Sequence, residues 1–144
     1  MNAVDTNVLI YVHDRRNTRK QEIAESLVRT LPRGVLLWQV ACEYIAASRK
    51  LEPFGYSKEK AWQDIHKLRT LWTTQLPTWE IFDRTEELLI RYRLSSWDVL
   101  IVAACLEAGV TRLYSEDFDA SATAEGLEIV NPFAQFDAQA RQET

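Results

Sequence analysis

The sequence predicts a three-layer α/β/α sandwich with a mainly parallel central sheet of four to five strands and helices on both faces. Short apolar segments that are typical of strands alternate along the chain with longer segments of helical apolar spacing. Strands that are joined through helices run parallel and have both faces covered, which gives this architecture. In addition, residues 99–106 are apolar on every side of a helix, so this helix is expected to be central and buried.

The individual elements are predicted from apolar spacing and from turn and capping residues. An apolar strand precedes Asp5, and a Pro-Arg-Gly turn separates the second helix from the second strand. Ser57 is an expected N-cap, and the stretch from Ser95 to Asp98 has the form of a capping box. Helices are predicted over residues 8–13, 18–31, 39–50, 58–72 and 83–93, and from the capping box to Gly109. Further strands are predicted over residues 35–38, 78–82, 111–114 and 126–130.

The composition favours a single folded domain. The chain has 144 residues, of which 47% are hydrophobic and 26% charged, and it contains no internal repeat, low-complexity stretch or Gly/Ser linker. We expect one domain over residues 1–131 and a surface tail over residues 132–144. The apolar runs are shorter than the ~20 residues that a membrane span needs, and no basic region precedes the first of them. A cytoplasmic location without membrane contact is therefore expected.

Several function classes lack the residues that they need. The two cysteines have no metal-ligand spacing, which argues against a zinc site or a disulfide scaffold and suits a reducing compartment. With four glycines, the chain has neither a P-loop nor a dinucleotide fingerprint, and no G-x-S-x-G motif is present. The net charge of -4 disfavours binding of nucleic acid through a broad basic surface. Local basic patches would still allow such a substrate.

Four acidic residues from distant parts of the chain are predicted to meet at one edge of the sheet. Asp5 and Asp117 each follow a predicted strand, and ligands bind at the carboxyl ends of parallel strands. Asp98 starts the buried helix, and Glu43 lies among small and apolar helix neighbours, where an unpaired charge is costly. A simpler role for Asp5 is to cap the following helix. Such a cluster repels itself unless it holds protons or cations, and oxygen ligands suit Mg²⁺ or Mn²⁺.

The four acids stand in motifs that resemble those of the PIN-domain ribonucleases, and most closely the VapC-type toxins of bacterial toxin–antitoxin pairs. The matching segments are V-D-T-N-V-L-I-Y around Asp5, Glu43 in an early helix, W-D-V-L-I-V-A-A around Asp98, and L-Y-S-E-D-F near Asp117. They span residues 4–118 in the order and spacing of the family. One of these motifs alone would be weak support, whereas all four in order are specific.

The resemblance implies a PIN-like α/β/α sandwich and an endoribonuclease that depends on Mg²⁺ or Mn²⁺. By position, the expected catalytic and metal-binding acids are Asp5, Glu43, Asp98 and Asp117. Asn7 and Ser115 match accessory polar positions that orient ligands or water in the family. The sequence E-D-F-D at residues 116–119 leaves the fourth acid open, because Asp117 fits the pattern best and Asp119 is the second choice.

The resemblance also implies partners. The expected ones are an RNA substrate, a cognate antitoxin whose C-terminal segment covers the site, and a second copy of the chain in a homodimer. The basic residues that would steer the RNA backbone are Arg15, Arg16, Arg19, Lys20, Arg49 and Lys50. Two alternatives stay open: a PIN-domain nuclease that acts in RNA processing, and a non-catalytic PIN-like module that binds RNA or protein.

Overall fold

The structure is a computed structural model that describes residues 1–118 and 123–134. The strands are β1 (Asn2–Val4), β2 (Gly34–Leu37), β3 (Thr73–Gln75), β4 (Arg112–Tyr114), β5 (Thr123–Ala124) and β6 (Leu127–Val130). The α-helices are α1 (Thr6–Tyr11), α2 (Thr18–Thr30), α3 (Trp38–Ala47), α4 (Lys58–Leu71), α5 (Trp79–Arg91) and α6 (Ser96–Glu107). The segment predicted as one helix over residues 39–50 divides into α3 and a 3₁₀ helix (Ser48–Phe54).

The strands form one sheet in the order β3-β2-β1-β4-β6-β5. Neighbouring strands are parallel, except that the two-residue β5 pairs antiparallel with β6. The predicted sandwich with a mainly parallel sheet is therefore confirmed, and β5 adds one strand to the expected number. Val4 lies opposite Tyr114, so β1 and β4 end side by side. The residues that follow these two strands consequently leave the sheet at the same edge.

Helix α6 lies in the centre of the packing, as its apolar sequence predicted. Val99, Val102 and Ala103 on this helix are buried, and α6 contacts β2, β6 and α5. Helix α5 buries Ile81 and Leu88, which are seven positions apart and therefore share one face of the helix. None of the described helices is both long enough and apolar enough to cross a membrane.

The third strand was predicted over residues 78–82, and this prediction is wrong. Thr78 is instead the N-cap of α5, and its hydroxyl accepts a hydrogen bond from the backbone N–H of Ile81 at 3.2 Å. The strand at this edge of the sheet is β3, which precedes the helix and pairs with β2. Its sequence, T-T-Q, has no apolar residue, so it gives no apolar signal. Backbone pairing with a neighbouring strand holds β3 in place.

The segment predicted as a surface tail begins inside the packed domain. Phe133 is fully buried, and its ring meets that of Tyr11 edge-on, with the centroids 5.0 Å apart. The side chain of Asn131 accepts a hydrogen bond from the backbone N–H of Phe133 at 2.9 Å and fixes the turn that directs the ring inward. The packed domain therefore extends beyond residue 131, and residues 135–144 of the predicted tail lie outside the described residues.

Candidate active site

Asp5 leaves the sheet directly after β1 and starts α1. One of its carboxylate oxygens, Oδ1, accepts a hydrogen bond from the backbone N–H of Thr6 at 2.7 Å. The other, Oδ2, accepts one from the hydroxyl of Ser115 at 2.7 Å. Asp5 is thus the N-cap of α1, as the simpler interpretation proposed. It is also 4% exposed, and a helix cap does not need such deep burial.

The electrostatics of Asp5 bring two further acids into the same site. Burial raises the pKa of Asp5 to about 6, although the hydrogen bonds from Ser115 and Thr6 lower it. The negative charges of Asp117 and Glu43 raise the same pKa further. Three of the four predicted acids therefore lie close enough to interact, although they are far apart in the chain.

Glu43 is held on both of its carboxylate oxygens. The hydroxyl of Thr6 donates to Oε2 at 2.7 Å, and the side-chain amide of Gln39, one turn earlier on α3, donates to Oε1 at 2.8 Å. The same amide nitrogen donates to the backbone carbonyl of Trp97 at 3.2 Å. Gln39 therefore connects Glu43 with the first turn of α6, where Asp98 lies.

Asp98 stands at the start of α6, where the capping box was predicted. Its backbone N–H donates to the hydroxyl of Ser95 at 3.1 Å. Ser95 is therefore confirmed as the N-cap, but the return hydrogen bond of a capping box, from the Ser95 N–H to the Asp98 carboxylate, is not formed in the part of the chain that the structure describes. The carboxylate is partly exposed, and within the described residues it makes no hydrogen bond or ion pair. The charges that raise the pKa of Asp5 are those of Asp117 and Glu43 and not that of Asp98. The structure therefore places Asp98 beside the cluster, linked to it through Trp97 and Gln39.

Asp117 is the acid of the turn after β4 that joins the cluster. The side-chain amide of Asn7 donates to Oδ2 of Asp117 at 3.0 Å, and the hydroxyl of Ser115 accepts from its backbone N–H at 3.2 Å. Asn7 also accepts a hydrogen bond from the backbone N–H of Glu116 at 3.3 Å. Both accessory residues predicted from the motifs, Asn7 and Ser115, thus lie between Asp5 and the turn.

The neighbouring acid Glu116 has other partners. The hydroxyl of Tyr11 donates to its Oε1 at 2.8 Å, and the ammonium group of Lys20 donates to its Oε2 at 2.6 Å. Glu116 is therefore neutralised by a cation, whereas Asp117 interacts with Asp5. This geometry favours Asp117 as the fourth acid. Asp119, the second choice, lies outside the described residues.

The donor chemistry of the cluster fits a hard divalent cation. Within the described residues, no three His, Cys, Asp or Glu side chains are arranged closely enough to hold a metal ion. However, Asp5, Glu43 and Asp117 offer only oxygen ligands, which suits Mg²⁺ or Mn²⁺ better than zinc. A cation would also relieve the repulsion that raises the pKa of Asp5. The residues therefore fit such an ion by ligand type and charge.

Two residues that hold the acids were not identified from the sequence. Gln39 precedes Glu43 by four positions, a spacing at which helix side chains meet, so this contact had a sequence signal. Thr6 had none, because its hydroxyl reaches a residue of another helix. Both act by fixing the orientation of Glu43.

Comparison with known proteins identifies the family. The model of the PIN domain family matches residues 3–126, so the chain belongs to the PIN domain family. No curated protein matches the sequence significantly.

Three solved structures share the fold at low sequence identity. A toxin–antitoxin complex from Klebsiella pneumoniae has a TM-score of 0.68 and 19% identity, and the match covers 92% of this chain and 98% of that one. VapC20 from Mycobacterium tuberculosis, a sarcin-ricin loop cleaving toxin, gives a TM-score of 0.66 and 18% identity over 87% of this chain and 98% of that chain. VapBC2 from Rickettsia felis, bound to a DNA fragment from its promoter, has a TM-score of 0.64 and 13% identity. That match covers 90% of this chain and 97% of the other chain. The structural neighbours of this PIN domain are thus VapC toxins.

The burial of Asp5 predicts that the site lowers the stability of the metal-free protein. Because the pKa of Asp5 is about 6 in the folded chain and 3.8 in its unperturbed form, stability falls as the pH rises from about 4 to 6. Asn cannot ionise, so Asp5→Asn should stabilise the fold at pH above 6 by about 1–2 kcal/mol. Urea unfolding in EDTA, followed by circular dichroism, measures the difference.

The comparison needs a control for the loss of a charge. Glu107→Gln removes one exposed negative charge at the end of α6 and should leave the stability within about 0.5 kcal/mol. At pH below 4, Asp5→Asn should no longer be more stable than the parent. An Asp5→Asn variant that is less stable than the parent at neutral pH would contradict the assignment of Asp5 as a destabilising buried carboxylate.

Proposed function

We propose that this PIN-domain protein is a metal-dependent endoribonuclease and the toxin of a type II toxin–antitoxin pair. The observation that carries the proposal is the buried Asp5, which shares one edge of the sheet with Glu43 and Asp117. Asp5 is buried, whereas Glu43 is partly buried and Asp117 is exposed. A buried carboxylate beside two further acids is costly unless something compensates its charge. The VapC toxins among the structures with this fold support the same function.

The four acids would hold the divalent ion, with Asp5 and Asp98 as its most direct ligands and Glu43 and Asp117 beside them. When bound, the ion supplies Lewis acidity and lowers the pKa of a water molecule, which phosphodiester hydrolysis requires. The contribution of the chain is to hold each carboxylate in a fixed orientation. Asp5 and Glu43 each receive one hydrogen bond on each oxygen, which leaves further lone pairs for a ligand.

The accessory residues hold the carboxylates in the orientation that a divalent cation would use. Asn7 fixes Asp117, and Ser115 contacts both Asp5 and the turn after β4. Asn7 lies on α1 and Ser115 follows β4 directly, so both side chains are placed by the packed fold. Such preorganisation reduces the movement that is needed when the substrate binds.

Removal of single carboxylates tests the nuclease activity. Asp5→Asn or Asp98→Asn should reduce cleavage of single-stranded RNA at least about 100-fold, because each removes a charged metal ligand while its shape is kept. The measurement is gel analysis of RNA fragments in Mg²⁺, with circular dichroism to verify the fold. Glu107→Gln, at the opposite end of α6 from Asp98, is the matched control and should cleave at the parental rate.

The same assay distinguishes the alternatives. EDTA should abolish cleavage, and Mg²⁺ or Mn²⁺ should restore it. Binding of RNA without any cleavage in either metal would favour the non-catalytic module. Parental cleavage by either Asn variant would overturn the assignment of the acids.

The antitoxin is the partner that we propose for a groove between α2 and α4. This groove has a volume of about 740 Å³, with apolar side chains that include Val28, Ile65, Leu68 and Leu71. Glu25, Arg29 and Lys67 provide charges among its lining. An apolar groove with a charged rim suits an amphipathic helix. The toxin–antitoxin complexes with this fold support an antitoxin as a partner of the chain.

A charge placed in the groove should weaken antitoxin binding selectively. Leu71 is 70% exposed, so Leu71→Glu should fold normally and lower the affinity at least about tenfold, because an antitoxin helix would bury the carboxylate. Isothermal titration with the product of the adjacent antitoxin-like reading frame measures this change. Leu76→Glu, which changes an exposed leucine that does not line the groove, is the control. Unchanged affinity of Leu71→Glu would exclude this groove.

The homodimer that we propose uses the outer face of α5. The exposed apolar residues of this helix are Trp79, Phe82, Leu89 and Ile90, and the rings of Trp79 and Phe82 pack edge-to-face. Four large apolar side chains that are exposed along one helix form a patch of the kind that marks protein–protein interfaces. Such a patch at one helix supports pairing with a second copy.

A charge on the outer face of α5 should dissociate the dimer. Ile90 is 85% exposed, so Ile90→Glu should leave the fold intact and convert the protein to a monomer, because two carboxylates would be buried at a symmetric interface. Size-exclusion chromatography with light scattering measures the mass. Leu71→Glu on α4 should remain dimeric. A monomeric parent would contradict the proposal.

A further inference from the structure

A cleft leads away from the acidic cluster between α1 and the 3₁₀ helix. Its volume is about 390 Å³. Asn7 and Asp117 lie at one end, Asp14 and Arg16 line it beyond the end of α1, and Lys50 of the 3₁₀ helix forms part of the opposite wall. Asn7 and Tyr11 both line the cleft and are one helical turn apart on α1, on the order of 6 Å, and the cleft continues past the end of the helix to Asp14 and Arg16. The cleft is therefore long enough to hold a part of a nucleic-acid strand beyond the acids.

Arg16 is fixed in the cleft by two contacts. Its Nε and Nη2 donate to the two carboxylate oxygens of Asp14 at 2.9 and 3.0 Å, and Asp14 is buried. The guanidinium also lies over the ring of Phe54, 4.7 Å from its centroid. A guanidinium has five N–H donors. Those that do not bond to Asp14 stay available for an anion in the cleft.

Lys50 differs from most of the other basic residues that were predicted to bind RNA. Arg19, Lys20 and Arg49 each form an ion pair, with Glu22, Glu116 and Glu52 respectively. Lys50 is exposed, and within the described residues no acidic side chain pairs with it. Its charge therefore stays uncompensated at the wall of the cleft. An anion is the ligand that such a position suits.

We propose that this cleft binds the backbone of single-stranded RNA next to the cleaved bond, with Lys50 and Arg16 as the ligands of a phosphate. This inference rests on the proposed nuclease function and names the direction in which the strand leaves the acids. The contacts are made to the backbone, so they position the strand without selecting its sequence. Lys50 and Arg16 are therefore binding and positioning residues.

The proposal is tested by RNA binding in Mg²⁺, with the Asp98→Asn change present in every protein so that cleavage does not interfere. Fluorescence anisotropy with short single-stranded RNAs, one uridine-rich and one of mixed sequence, gives the affinity. Lys50→Ala should weaken binding of both RNAs by about five- to tenfold, and it should reduce the slope of log affinity against log salt by about one. Lys50→Arg should retain most of the affinity, because the charge is kept.

Lys67→Ala is the matched control. Lys67 is also an exposed lysine, but it lines the groove between α2 and α4 instead of the cleft, so its removal should not change RNA affinity. Combining Arg16→Ala with Lys50→Ala should weaken binding more than Lys50→Ala alone, and circular dichroism verifies the fold because Arg16→Ala leaves the buried Asp14 without its partner. These results together would support the cleft as the path of the backbone.

The outcomes separate this inference from the function on which it rests. One outcome is that the protein with an intact Asp98 cleaves RNA in Mg²⁺, while Lys50→Ala leaves the affinity and the salt slope of the Asp98→Asn protein unchanged. In that case the assignment of the cleft is wrong and the nuclease function stands. A loss of affinity for only one of the two RNAs would also contradict backbone binding. If the protein neither binds nor cleaves RNA, both proposals are overturned.

Discussion

The hydrogen bond from the Ser115 hydroxyl to the Asp5 carboxylate is the contact on which the site depends. The parallel register of β1 and β4 brings these two residues together at one edge of the sheet. Ser115 is fully buried and also accepts from the backbone N–H of Asp117, so one hydroxyl holds two acids. Without it, Asp5 would be a buried charge with a single hydrogen bond, an arrangement that is strongly destabilising.

Helix α1 connects this site with the two cavities beside it. Ile10 and Tyr11 of α1 line the cleft that leads from the acids, whereas Leu9 and Val12, in and just beyond the same helix, line the groove between α2 and α4. A partner in the groove would therefore contact the other side of the element that carries Asn7. Because α1 has only six residues, it depends on packing from both sides for its position. Helix α1 therefore lies between the groove and the site.

Local patterns predicted much of this fold and part of the site. Apolar spacing identified the central helix α6, and the cap at Ser95 was recognised because capping depends on residues a few positions apart. Asp5 was placed correctly at the end of a buried strand, since a strand that is buried on both faces is apolar throughout. Apolar spacing did not predict β3, because its polar sequence T-T-Q is held by backbone pairing with β2. It also did not predict the burial of Phe133, which packs against Tyr11, a residue far away in the chain.

The sequence by itself determined which acids are available and that Asp5 and Asp117 follow strands, because strand ends are local features. Only the tertiary structure decided how these acids are held. It joined Asp117, and not Glu116, to Asp5, since Glu116 pairs with Lys20 of another helix. It also left Asp98 beside the cluster, connected through Gln39 and the carbonyl of Trp97. Such choices depend on distances between residues far apart in the chain, and periodicity along a single segment contains no information about them.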